Sequence, residues 1–404
     1  VKVLYFSDNA SGHNQRFLEK LSEAGLEVWF LDPTNNSVAD GWLPEGVHWV
    51  RPTKTVPRDS SPSVFAGFLA EFQELVKEIA PDLVHAGPIQ NCGYVTAHSQ
   101  FHPWLLTSWG SDLLFHAQQS PELHQATHIA LSSADVFFCD CDTVRAAARK
   151  FAPIPDSRIV QFPWGIRKGL FGPEGALPSK TELEREPGTH LFLSTRSWEP
   201  LYGIDTLLEA FRQAYRADSS LRLVLLGDGA QARRVREFIE VHGLSRVIAT
   251  PGTYVKEDMP KWFRAADTYV SCTQSDGTSV SLLEAMATGL PVVVSDLWSN
   301  REWVVEEQNG WLASPRSAEQ FADRLLRAAR LSPEQRRLFS ERNRRIVDDR
   351  ADWDRNFPKL LEMYQRLTGK SIGKSIGSTA IRHRPQLLAS AGNHLAAAHR
   401  TDAE

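Results

Sequence analysis

Residues that mark special chemistry are scarce in this chain. It has four cysteines in 404 residues, and Cys139 and Cys141 stand two apart in an apparent strand while Cys92 and Cys272 are isolated. That spacing fits neither a disulfide framework nor a zinc knot, so buried thiols are expected. No run of 18 or more apolar residues occurs, so no segment reads as a membrane-spanning helix. The opening Val1-Lys2-Val3-Leu4-Tyr5-Phe6 is too short for a secretory signal, and a cytoplasmic protein is the expectation. A surplus of positive charge is missing as well: 45 Lys and Arg face 49 Asp and Glu, a formal net charge of −4. A dedicated nucleic-acid binder needs excess cations to neutralise phosphates, so no nucleic-acid partner is expected.

What the chain does have is the composition of a packed protein, 42% hydrophobic and 23% charged, and a length that suits two cores rather than one. Short apolar runs at 1–6, 27–31, 82–86, 103–109, 135–139 and 158–163 alternate with helical patterns at 14–24, 64–79 and 142–151. Alternation of this kind implies a parallel sheet covered on both faces. The stretch 171–187, rich in Gly, Pro and charge, reads as a linker. The pattern then restarts, with strands near 190–195, 221–226, 246–250, 268–272 and 291–295 and helices between them. The fold expected is therefore α/β, with two Rossmann-like, doubly wound parallel-sheet domains facing across a cleft: 1–170 on the acceptor side and 188–350 on the donor side. A C-terminal helix over 351–368 is expected to cross back toward the first domain, and 369–404 to form a disordered tail.

The most informative segment runs from Ser275 to Asp296, as strand end, loop, helix, glycine stop and strand. Gly277 permits unusual backbone angles, and Thr278 or Ser279 can cap a helix whose first N–H groups, near Ser279, Val280 and Ser281, point into the loop. Such a terminus attracts phosphate. Glu284 lies about five residues into the helix, roughly 7 to 8 Å from the cap, a span that suits a ribose carried on a bound diphosphate. Asp276, in the loop, can reach the sugar on the other side. In the plain alternative, Glu284 is a solvated helix residue and Asp276 an ordinary turn former.

Asp276-x7-Glu284 followed by Ala-Met-Ala-x-Gly-x-Pro-Val resembles the signature of retaining family-four glycosyltransferases of GT-B fold, the glycosyl transferases group 1. The resemblance extends over Ser194–Phe211, Leu225–Gly229 and Gly252–Val255, and so across most of 190–315. It implies that Arg196 pairs with donor phosphate, that Glu284 holds ribose, and that backbone near Val255 reads the base. It also implies a nucleotide-diphosphate sugar as donor, transfer with retention to a sugar, lipid-linked or small-molecule acceptor hydroxyl in glycan, glycolipid or glycoconjugate synthesis, and no cofactor. Arg196 and the helix terminus would supply the charge stabilisation for which other folds use a divalent metal. Two positions depart from the pattern: Asp276 stands where the family usually has Glu, and Tyr202 where a phosphate-binding Lys usually precedes Gly.

In the first domain, Ser7–His13 is a small-residue turn leading into a helix, with Ser11 and Gly12 as candidates to face the diphosphate. His13 is either a contact to phosphate or acceptor or a surface or capping residue. Pro103–Leu113 resembles the family's strand into the catalytic cleft, with Trp109 where a histidine is common. Trp109 reads as a wall of the sugar or acceptor pocket or as a core aromatic, and Asp112 as acceptor of the hydroxyl proton or as a helix cap. The apolar stripe Val64–Val76 is core, an acceptor groove or a peripheral membrane contact, and the arginines from Arg324 to Arg350 are a solvated face or an anion-binding one. Rival functions are another GT-B reaction, of epimerase or phosphorylase type, and a noncatalytic sugar-nucleotide-binding protein.

Overall fold

The computed structural model describes residues 1–372 apart from Asn9, 35–40, 58–59, residue 168, 180–182, 184–185 and 255–257. Among them, thirteen strands form two sheets. The first holds β1 (Lys2–Phe6), β2 (Glu27–Leu31), β3 (Val47–Val50), β4 (Leu83–Ala86), β5 (Trp104–Thr107), β6 (Val136–Cys139) and β7 (Ile159–Gln161). The second holds β8 (His190–Ser194), β9 (Leu221–Leu226), β10 (Ile248–Gly252), β11 (Thr268–Ser271), β12 (Val292–Ser295) and β13 (Gly310–Ala313). The spatial orders are β3-β2-β1-β4-β5-β6-β7 and β10-β9-β8-β11-β12-β13, and every pairing within them is parallel. These are two doubly wound sheets, whose ligand crevices lie at the carboxyl ends of the strands.

Helices α1 (Gly12–Glu23), α2 (Pro62–Ala66), α3 (Leu69–Ile79), α4 (Tyr94–Ser99), α5 (Ser111–Leu114), α6 (Pro121–Ser133) and α7 (Asp142–Phe151) accompany the first sheet. The second has α8 (Ile204–Ala217), α9 (Ala232–Val241), α10 (Met259–Ala265), α11 (Val280–Thr288), α12 (Trp298–Arg301), α13 (Ala318–Ala329) and α14 (Pro333–Arg350), and α15 (Trp353–Asn356) and α16 (Pro358–Thr368) close the described chain. Strands β4, β5, β6, β8, β11 and β12 are buried along their whole length, as apolar runs covered on both faces must be.

Some expectations need correction. Strands β3 and β13 went unpredicted because Val47-His48-Trp49-Val50 and Gly310-Trp311-Leu312-Ala313 are too short and mixed to signal a strand; both lie at sheet edges. The pattern at 64–79 is two helices, broken at Gly67 and Phe68. Its phenylalanines face inward: Phe65, Phe68 and Phe72 are buried, and Phe6 lies 6.1 Å from Phe68 and 4.7 Å from Phe72. The core therefore claims them, not a membrane or an acceptor groove. All four cysteines are buried and free. In the arginine-rich region, Arg324 pairs with Asp323 and Glu306, Arg327 with Asp323 and Glu307, and Arg337 with Glu341.

After β7 the chain leaves the first sheet beside the point where it returns. Ile166 N–H donates to the Ala351 carbonyl at 2.8 Å, and Trp353 N–H to the Ile166 carbonyl at 3.1 Å, so two strands of chain run parallel between the domains. Gly165, at φ +65°, lets them approach, because a Cβ there would collide with the Ala351 carbonyl. Arg16, buried in α1, donates to the carbonyls of Gly165 (2.8 Å) and Trp164 (3.3 Å) and stacks 4.9 Å from the Trp353 ring. Beyond this crossing, Trp353, Phe357, Leu360 and Tyr364 enter one apolar cluster with Val3, Tyr5, Phe17 and Leu105 of the first domain. Residues 373–404, most of the expected tail, lie outside the described residues.

The buried anchor of α16 is Tyr364, whose hydroxyl meets His85 Nδ1 while His85 Nε2 meets the Thr107 hydroxyl. Burial pushes the His85 pKa down from 6.5 to about 3, keeping the ring neutral. The unfolded chain therefore binds the extra proton between those values. The stability contributed by neutral His85 is complete above pH 6.5 and is lost as pH falls toward 3. Tyr364→Phe is expected to cost about 1–3 kcal/mol by leaving a buried imidazole nitrogen without its partner. Urea unfolding should show a lower midpoint at unchanged slope.

Candidate donor site

The carboxyl ends of β8, β11 and β12 carry the loops that meet the first domain. After β11 the chain runs through Asp276-Gly277-Thr278 into α11, where Ser279 is the N-cap and its hydroxyl accepts from Leu282 N–H at 3.4 Å. Gly289, in the left-handed region at φ +88°, ends the helix. The N–H groups of Val280 and Ser281, in the first turn, have no intrahelical acceptor. Val280, first in the helix, packs against the first domain's apolar cluster.

Arg196, just past β8, gathers the loop. Its Nη2 lies 2.9 Å from Asp276 Oδ2, and its Nη1 donates to the hydroxyls of Ser279 (3.1 Å) and Ser281 (3.4 Å). The guanidinium carbon sits 4.1 Å from the Tyr202 ring centroid, so the residue that replaces the expected lysine brings no cation but supports one. The Arg196 side chain is only 13% exposed and that of Asp276 19%. Burial opposes the charge on Arg196, but Asp276, Tyr202 and Tyr269 outweigh it and hold the guanidinium firmly protonated. For Asp276, burial is the stronger influence and pushes its carboxyl up, against the pull of Arg196. Gly203 follows Tyr202 with φ +62°, and a Cβ there would strike the Cys272 carbonyl, so the loop under Arg196 can turn only at glycine.

Glu284 lies on α11, partly buried. Its charge is felt by Tyr269 and, across the domain boundary, by Arg16, where it opposes the burial that lowers the arginine's pKa to about 10. Gly277 has the conformation of an ordinary residue, not the unusual backbone expected of it, and its glycine is required for space. A Cβ there would lie 2.6 Å from Asp140 Oδ2, and a Cβ on Gly110 would lie 2.9 Å from Gly277 N. Thr278 does not cap α11; its N–H donates to Asp140 Oδ2 at 2.6 Å and its hydroxyl to the Asp140 carbonyl at 3.3 Å. Val255 lies outside the described residues.

On the first-domain side, Ser11 is the N-cap of α1, accepting from Asn14 N–H at 3.3 Å, and Gly12 begins the helix with nothing near its missing side chain. His13 lies 5.1 Å from Trp164 and 6.3 Å from Trp109, and the two indoles meet edge to face at 4.9 Å. Trp109 is half-buried, and its indole N–H has no hydrogen-bond partner among the described residues. Asp112 lies inside α5, whose N-cap, Gly110, has no side-chain cap bond. Its Oδ1 accepts from Ser108 Oγ (2.6 Å) and Leu113 N (2.9 Å), and its Oδ2 from Trp109 N (3.1 Å) and Ile89 N (3.3 Å). Four donors occupy both oxygens, so the carboxylate ties the Trp109 loop together.

Asp140 and Glu302 were not singled out from the sequence. The available signal was position: each follows the carboxyl end of a strand, β6 or β12, where a doubly wound fold puts its working residues. Asp140 and Asp142 also form an Asp-x-Asp pair, as do Asp352 and Asp354, but neither pair converges. Asp142 pairs with Arg145 at 2.6 Å, Asp352 caps α15, and Asp354 pairs with Lys20 at 2.7 Å.

Two Rossmann-like domains that face each other through the carboxyl ends of their strands, with an arginine and a helix N-terminus at the boundary, define the GT-B class. Residues 179–346 match the family described as glycosyl transferases group 1, and residues 2–141 the one described as glycosyl transferase 4-like. The chain belongs to the group 1 glycosyltransferases of GT-B fold. It is 24% identical over 413 residues to a D-inositol 3-phosphate glycosyltransferase of Pseudarthrobacter chlorophenolicus, covering 93% of this chain and 95% of that protein. It is 29% identical over 201 residues to a putative colanic acid biosynthesis glycosyltransferase of Escherichia coli, a match spanning 48% of each. Among solved structures, a sucrose-phosphate synthase of Thermosynechococcus elongatus superposes with a TM-score of 0.78 at 19% identity, over 92% of this chain and 100% of that one. The Anabaena protein HepE, crystallised with UDP and glucose, gives 0.73 at 16% identity, over 91% and 100%. Among the described residues no helix is long and apolar enough to cross a membrane.

Gly110→Ala is expected to cost about 1–3 kcal/mol. Its backbone is left-handed at φ +83°, and the new methyl would press on Gly277 N. Chemical denaturation should register that loss and show no comparable loss for Gly12→Ala, where the added methyl meets nothing within 4 Å.

Proposed function

We propose that this chain moves a glycosyl group from a nucleoside-diphosphate sugar to an acceptor hydroxyl with retention of anomeric configuration, in glycan or glycoconjugate synthesis. The observation that carries the proposal is Arg196, held by Asp276 and Tyr202 beside the open N-terminus of α11. A diphosphate seated there meets a permanent positive charge and the helix N–H groups. Glu284, one and a half turns on, faces the ribose. The bond from the anomeric carbon to the phosphate oxygen breaks with its electron pair going to that oxygen, where Arg196 and the helix end stabilise the charge. The acceptor oxygen bonds to the anomeric carbon on the same face, and its proton passes to the departing phosphate. Asp276 orients the sugar, Trp109 and His13 shape the opposite wall, and the protein acts chiefly through positioning.

Uridine is the base to test first. HepE was crystallised with UDP and glucose, and a pneumococcal O-GlcNAc transferase whose fold this chain shares was crystallised with UDP and GlcNAc. The reaction needs no resident metal in this scheme, and four free, buried thiols favour a reducing, cytoplasmic compartment.

In a thermal-shift screen of UDP-, GDP-, ADP- and dTDP-sugars, one base is expected to raise the melting temperature. Arg196→Ala and Glu284→Ala should each weaken that donor by roughly ten- to a hundredfold, the worth of a lost charge-assisted hydrogen bond. No shift with any of the four would overturn the proposal. Once an acceptor is in hand, chelation with EDTA should leave turnover unchanged, and proton NMR of the first product should show the donor's anomeric configuration; an inverted product would refute retention.

A further inference from the structure

At the boundary between the two sheets, each domain sends a carboxylate to a helix N-terminus of the other. Glu302, from the second domain, accepts the first N–H groups of α7, Asp142 N at 3.2 Å and Thr143 N at 3.1 Å, and the Thr143 hydroxyl at 2.9 Å. Asp140, two residues before α7, reaches the other way and accepts Thr278 N–H at 2.6 Å, two residues before α11 begins. A Cβ on Gly110 would strike the Gly277 backbone, and a Cβ on Gly277 would press on the Asp140 carboxylate. The donor loop is thus held at three successive residues: Asp276 by Arg196 on its side chain and by the Ser299 hydroxyl on its carbonyl (2.8 Å), Gly277 by the close packing, and Thr278 by Asp140.

Asp140 is an odd choice for a plain cap. It is 5% exposed, and its Oδ1 has no hydrogen-bond partner among the described residues. Serine, threonine or asparagine supplies an acceptor to an N–H without burying a carboxylate, and groups kept at such a cost concentrate at working sites. We propose that Asp140 is a positioning residue of the donor site, which holds the Gly277–Thr278 backbone across the cleft so that Asp276 and Arg196 align on the sugar and diphosphate only when the two domains are closed, with Glu302 as its counterpart. This rests on the reading of 276–284 as the donor site.

The contact is also sensitive to pH. Burial pushes the Asp140 carboxyl up to about 7, with the negative charge of Asp276 from the donor loop adding to it and Thr278 N–H and Cys141 opposing it. Glu302, the C-cap of α12, acts through the α7 first turn, and Asp142 in that turn is paired with Arg145. A group near its ordinary 3.8 in an open cleft and near 7 in the closed one takes up a proton on closing. Closure is therefore favoured as pH falls through 7, and an arriving diphosphate drives the uptake in the same direction.

The test uses the full chain as wild type, Asp140→Asn, Asp140→Ala and Glu302→Ala. Hydrogen exchange of the 275–282 segment in the free protein reads the hold without any substrate. Asp140→Ala should speed exchange at the Thr278 amide by about tenfold or more, Asp140→Asn should keep it slow, and Glu302→Ala should speed exchange at Asp142 and Thr143. With UDP-glucose as the probe, the affinity of the wild type should rise between pH 8 and 6, Asp140→Asn should bind without that pH dependence, and Asp140→Ala should bind about tenfold more weakly. Unchanged exchange in Asp140→Ala overturns the proposal, as does an Asp140→Asn variant as impaired as Asp140→Ala. If the wild type binds none of the UDP-, GDP-, ADP- or dTDP-glucose probes, the donor-site reading fails, while the exchange data still decide whether Asp140 holds the loop.

Discussion

The cleft depends on how closely two backbones approach. Gly277 of the donor loop lies against Gly110 and Asp140 of the first domain with no room for a side chain on either glycine. Because Gly110 meets the Gly277 backbone directly, the contact fixes the loop more narrowly than a meeting of flexible side chains alone would. The Asp276 side chain, the start of α11 and the Arg196 guanidinium all take their places from it. The second domain supplies the charged groups, and the first domain decides where they point.

Within that frame the electrostatics form a layered arrangement. Tyr202 lies under Arg196, Asp276 pairs with its Nη2, and Ser279 and Ser281 accept from its Nη1, while its Nε has no hydrogen-bond partner among the described residues. A buried guanidinium is costly unless its charge is paired, and here both terminal nitrogens have partners, a carboxylate and two hydroxyls, over an aromatic face. The arginine is thereby rigid before any anion arrives, which lowers the ordering cost of binding one.

Much of this was legible in the amino-acid order, for identifiable reasons. Strands buried on both faces, such as Val136–Cys139 and the three valines that open β12, announce themselves as unbroken apolar runs. The donor segment was legible because its residues are neighbours in sequence as well as in space: Asp276, Gly277, Ser279 and Glu284 fall within three turns of chain. Edge strands β3 and β13 were not, since one face of each is partly solvated and their mixed residues carry no period. Nor was the duty of Tyr202, because only the fold brings its ring beneath Arg196. Asp140 and Thr278 are 138 residues apart; local pattern carries no information about such a pair. Gly277 shows a subtler miss, where the residue type was anticipated for its backbone freedom and is needed for its small volume.

The return of the chain at Ala351 has a consequence for synthesis. Trp353, Phe357, Leu360 and Tyr364 complete an apolar cluster whose other members include Val3, Tyr5 and Phe17, all made before the second domain. As the ribosome releases the chain, the first sheet can form its strands but must wait with one face uncovered until the whole second domain has emerged. Of the two domains, the one translated first is thus the one finished last. A chain cut short after α14 would carry a folded second domain beside a first one with an exposed aromatic surface, the kind of half-product that quality-control proteases and chaperones recognise.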